Sequence, residues 1–88
     1  MKRRPKAELL TAVEHALTGD WESAHEIAQE HEGDEIADWI HAVTHRMEGD
    51  LPNARYWYGR CRRAFRENIP PAAELREIRQ ALEASEGP

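Results

Sequence analysis

The sequence predicts an all-α fold: two antiparallel helical hairpins followed by a C-terminal capping helix. Three observations carry this. First, the chain repeats itself at an offset of 30: residues 6–25 laid over 36–55 give seven identities in twenty pairs, Ala7/Ala37, Ala12/Ala42, Val13/Val43, His15/His45, Gly19/Gly49, Asp20/Asp50 and Ala24/Ala54. A period of that size marks stacked helical units. Second, Gly-Asp pairs at 19–20, 33–34 and 49–50 punctuate the chain at regular intervals. Glycine ends a helix in the left-handed conformation, and aspartate caps the next one by accepting from its free backbone amides. Third, apolar residues recur at helical spacing, and no segment alternates as a strand would.

Each element follows in order. Helix one is expected over 6–18, where Leu9, Leu10, Val13 and Leu17 share a face and Gly19 stops the helix. Helix two runs over 20–31 from the Asp20 cap. Gly33 and Asp34 open helix three, which Gly49 ends. Asp50 caps helix four, and Pro52 falls in its first turn, where a missing N–H costs little. Asn68 sets its end near residue 67. Pro70 and Pro71 break the chain, and helix five covers 71–84 with a stripe of Leu75, Ile78 and Leu82. The units are hairpin one (6–31), hairpin two (34–67) and the capping helix, which is expected on the open apolar face of hairpin two. Connections of two or three residues force antiparallel neighbours. The first five and last three residues are expected to fray.

Length and composition set limits. The 88 residues make one domain, 1–88, with a thin core. A net charge of −5 disfavours a nucleic-acid partner. The one cysteine, Cys61, permits no internal disulfide and suits a reducing compartment. Glu8 and Glu14 interrupt the apolar stretch that would make MKRRPK the start of a signal peptide. No run is apolar enough to span a membrane. These features point to a cytoplasmic, bacterial or archaeal protein. Three tryptophans in so small a body leave room for a homodimer through helix two or five.

GDWESA (19–24) and GDLPNA (49–54) resemble the GDYEKA-type segment joining the two helices of a tetratricopeptide repeat. Ala42, Ala54, Tyr58 and Cys61 fit that family's small and aromatic positions. The resemblance implies a right-handed stack of two units. It departs from the family in its period of 30, and in His41 and His45 where Leu and Tyr are usual. The segment 39–60, WIHAVTHRMEGDLPNARYWYGR, also resembles one in small uncharacterised bacterial proteins and implies no activity.

Two helices carry candidate chemistry. On helix three, Ile36, Ile40, Val43 and Met47 form a core stripe, while Asp34, Asp38, His41, His45 and Glu48 form a polar one. His41 and His45 are one turn apart, so both rings can reach one metal ion, zinc or iron. Asp38 is a candidate third ligand or orienting group. His25 or Glu22, an E-x-x-H pair on helix two, is a candidate fourth. The competing reading makes the histidines structural, because His15 and His45 are repeat equivalents; His25 then pairs with Asp38 or His41 across the hairpin.

The stretch from the end of helix three through helix four is basic. Arg46, Arg55, Arg60, Arg62, Arg63 and Arg66 are six of the chain's twelve Lys and Arg residues. Leu51, Ala54, Tyr58, Cys61 and Phe65 make its buried stripe, with Cys61 a small core residue. Internal pairing with the acidic helices accounts for much of this charge. Tyr56, Trp57, Arg60 and Arg63 are the candidate partner-binding residues, since such side chains dominate interface energetics. A protein-interaction module is thus the leading expectation from sequence. A metal-binding protein or metal-dependent enzyme is the alternative, and a structural protein with a histidine-containing polar core the third. A non-enzyme is favoured, and no catalytic residue is assigned.

Overall fold

A computed structural model describes residues 4–84. It contains α1 (Lys6–Leu17), α2 (Trp21–Glu30), α3 (Glu35–Glu48), α4 (Leu51–Cys61) and α5 (Pro71–Ala84), with no strand among the described residues. The fold is all-α, as the sequence predicts. Fraying expected of residues 1–3 and 86–88 falls outside the described residues. Arg4, expected to fray with them, is held by Asp34, with Nε 2.8 Å from Oδ2.

The helix ends are set by the local chemistry read from sequence. Asp20 accepts from the Ser23 amide, Asp34 from those of Ile36 and Ala37, and Asp50 from that of Asn53. Gly19 and Gly49 adopt φ of 93° and 92°. The corners after α1 and α3 are built alike: the Asp20 amide donates to the His15 carbonyl and the Asp50 amide to the His45 carbonyl, both at 2.9 Å.

α3 is the central helix. It packs against α1, α2, α4 and α5, and every residue from Ile36 to Thr44 is buried. The middle of its polar stripe is therefore interior as well: Asp38 and His41 are each only 3% exposed. The core joins Leu9, Val13, Ile40, Val43, Leu75, Ile78 and Leu82, among others. Burying each such side chain stabilises the fold by roughly 1.5–3 kcal/mol. Trp39 and Trp57 are buried within the single chain, and Trp21 is half-buried. Among the described residues no helix is long and apolar enough to cross a membrane.

Two expectations are corrected. α4 ends at Cys61 rather than near 67, because Arg62 takes the left-handed conformation (φ 63°) and the Arg63 amide donates back to the Tyr58 carbonyl at 3.0 Å. Phe65 still covers Tyr58, but from the connecting loop, with ring centroids 5.2 Å apart; Leu51 is exposed. In addition, α5 packs against α1 and α3 rather than over hairpin two alone. The loop of residues 62–70 steers it there. The Arg46 guanidinium donates to the Glu67 and Ile69 carbonyls, folding the loop back towards α3. Arg79 on α5 then pairs with Glu14 on α1 at 3.1 Å.

Candidate metal centre

The packing of α2 against α3 sets His25 opposite His41 and His45. One turn of α3 separates the last two, and their rings stack with centroids 4.9 Å apart. His25 meets both edge-on, at 4.5 Å from His41 and 5.0 Å from His45. One ring nitrogen from each lies within 4.8 Å of the other two. Three imidazoles around a zinc ion, with Zn–N near 2.0–2.1 Å, place their nitrogens about 3.3 Å and their ring centres about 5 Å apart. The observed triangle already has the ring spacing, and its nitrogens, within 4.8 Å of one another, would close to about 3.3 Å around an ion.

The surroundings suit ligation. His41 lies against the Trp57 indole, centroids 3.9 Å apart and planes 15° apart. Its Nδ1 is buried without a hydrogen-bond partner. Burial and then the neighbouring His25 and His45 hold its pKa down to about 3. Burial and His45 likewise lower that of His25. Both are therefore neutral near pH 7, the form that offers a lone pair. On the outer side, His45 Nδ1 sits 3.0 Å from Glu48 Oε1. A carboxylate on one imidazole nitrogen orients the other towards a metal and raises its basicity.

Other predicted ligands do not join this group. Asp38 points back along α3 to accept from the Gly33 amide at 3.2 Å. A helical Cα–Cβ bond leans towards the N-terminus, and a side chain as short as aspartate cannot return to the histidines a turn later. Burial raises its pKa. Glu22 is exposed. His15, the repeat equivalent of His45, lies apart at the first corner, 3.7 Å from Asp20.

The candidate partner-binding residues do not form one exposed face. Tyr56 is exposed and accepts from Arg60 Nη1 at 2.8 Å. Trp57 is turned inward onto His41, and Arg60 lies over its ring at 5.3 Å. Arg63 lies beyond the end of α4, its guanidinium 3.8 Å above the Trp39 ring. Cys61 is a buried core residue whose thiol pKa is pushed up to about 11 by burial.

No family model, curated protein or solved structure matches the chain.

The sequence reading missed Glu74. This carboxylate, 1% exposed, accepts from Trp39 Nε1 at 2.8 Å, Tyr58 Oη at 2.7 Å and Arg46 Nη1 at 3.0 Å. It ties α3, α4 and α5 together. Burial and the Glu74 carboxylate raise the Tyr58 pKa. The signal was available: Glu74 falls in line with Ile78 and Leu82, at i, i+4 and i+8 on the apolar stripe.

Proposed function

We propose that this protein binds a divalent transition-metal ion through His25, His41 and His45, and that zinc is the best match. The convergence of three imidazoles from two helices carries the reading. An all-nitrogen donor set suits zinc, copper or nickel, whereas non-haem iron commonly takes two histidines and a carboxylate. The predicted carboxylate, Asp38, faces Gly33, and Glu48 is engaged with His45 Nδ1. Three protein donors leave the fourth position of a tetrahedral zinc ion to water or a ligand.

Zinc titration by calorimetry, with the protein first treated with chelator, tests this. The expected result is one zinc per chain, with binding weakened at least tenfold in His25→Gln and His45→Gln. Both side chains are only half-buried, so these variants should fold. Full-strength zinc binding by both variants would overturn the assignment.

A second reading, protein interaction, keeps support from Tyr56, 54% exposed, and its partner Arg60. Trp57 and Arg63 contribute less accessible surface than the sequence suggests. The similar corners at Gly19–Asp20 and Gly49–Asp50 support the tetratricopeptide-like reading of the stack.

A further inference from the structure

Four arginines surround the joint between α4 and α5, and their charges are unequally compensated. Arg46 pairs with Glu74, and Arg66 holds both Glu77 oxygens, at 2.8 and 3.2 Å. Arg62 and Arg63 have no carboxylate partner among the described residues. Both line a cleft of about 260 Å³ with Trp39, Arg66, Glu74 and Glu77. Glu77 is committed to Arg66, and Glu74 to three donors. The cleft thus carries two uncompensated positive charges in a chain whose net charge is −5.

Two further features mark these residues. Arg63 Nε is buried without an acceptor, although the guanidinium rests on the Trp39 indole. A guanidinium offers five N–H donors in a planar fork and seldom leaves a buried one unused. Arg62 is the one non-glycine residue with positive φ among the described residues, whereas Gly19, Gly33 and Gly49 take this conformation at the other helix ends. An arginine held where glycine is easier points to use of its side chain.

We infer that this cleft binds a phosphate group, held by Arg62 and Arg63 beside Trp39. A phosphate dianion matches two free guanidinium charges, and its oxygens accept paired N–H donors from such forks. The Arg63 guanidinium lies 3.8 Å from the Trp39 ring centroid, and its Nε, left without an acceptor, forms with the adjacent Nη the paired donor that one oxyanion accepts. A volume of about 260 Å³ suits free phosphate or the phosphate of a small monoester.

Calorimetry with inorganic phosphate and with phenyl phosphate, both in the presence of chelator, tests the proposal. Chelator removes any phosphate bound through a metal, so the outcome is independent of the histidine site. Binding of either ligand, weakened at least tenfold in Arg63→Gln and in Arg62→Gly, is expected; Arg60→Gln, outside the cleft, should bind as the parent does. Tighter binding of phenyl phosphate would assign the site to a monoester, and equal binding to the phosphate group alone. Arg62→Gly preserves the left-handed corner, so its folding is secure and its loss of binding is specific. Absence of heat with both ligands at millimolar concentration, or undiminished binding in both cleft variants, would overturn the proposal.

Discussion

The Trp57 indole lies nearly parallel to the His41 imidazole, with ring centroids 3.9 Å apart. This stack joins α4 to the histidine cluster and makes Trp57 a reporter for it. Cupric ion bound at His41 should quench Trp57 fluorescence, since the two rings touch. Trp57→Phe keeps an aromatic ring over His41 and should fold with a modest loss of stability. It should lose the Trp57 share of the copper-dependent quenching, leaving that of Trp21, one turn before His25 on α2, and of Trp39. Full quenching in Trp57→Phe would place the copper elsewhere.

Stability should fall in mild acid because of His41. Its pKa is about 3 in the folded chain, against 6.5 for the free side chain. Between those values the unfolded chain binds more protons, so stability is full above pH 6.5 and declines as pH drops through the window. The slope for one such group approaches about 1.4 kcal/mol per pH unit. His25 is shifted in the same direction and adds to it. Asp38, with a raised pKa, contributes the opposite sign near its own titration. Melting temperatures of the parent and of His41→Leu between pH 4.5 and 7 check this. The variant should show a flatter acid limb, whatever its stability at neutral pH.

Removing the helix caps should give graded losses. Asp34 accepts from two α3 amides and also holds Arg4. Asp20 accepts from one amide at an exposed corner. A lost cap costs about 0.5–2 kcal/mol. Asp34→Ala is expected near the upper end of that range and Asp20→Ala near the lower, as read from urea denaturation midpoints.

What the sequence discloses is what acts locally. The Gly-Asp corners are legible because capping depends on residues within one turn. The His41/His45 pair is legible because helical spacing alone puts both on one side. The end of α4 is hidden because Arg62 occupies a left-handed position usually marked by glycine. Asp38 shares a stripe with the histidines on a helical projection, yet α3 is enclosed by four helices, so neighbours on one stripe meet different partners. The Trp57–His41 stack and the Arg63–Trp39 contact depend on helix packing that no local pattern encodes.

Glu74 is the extreme case, with side-chain partners 35, 28 and 16 positions away. Its removal should be the most damaging single polar substitution in the fold. Glu74→Ala leaves the Arg46 guanidinium, whose side chain is 9% exposed, without its carboxylate, and the Trp39 and Tyr58 donors unpaired. Breaking a buried pair from one side costs about 3–5 kcal/mol. For a domain of this size, each 1 kcal/mol lowers Tm by roughly 4–8 °C. A fall of at least about 12 °C is therefore expected by calorimetry. Replacing both partners by apolar residues tests the cause. Arg46→Met with Glu74→Leu removes both charges and should recover much of the loss, since a well-packed apolar pair can match a buried ion pair. Recovery will be partial, because the Trp39 and Tyr58 donors still lack their acceptor and Arg46 no longer anchors the Glu67 and Ile69 carbonyls. Equal damage in the single and double variants would show that the cost lies in those lost donors and the freed loop rather than in the stranded charge.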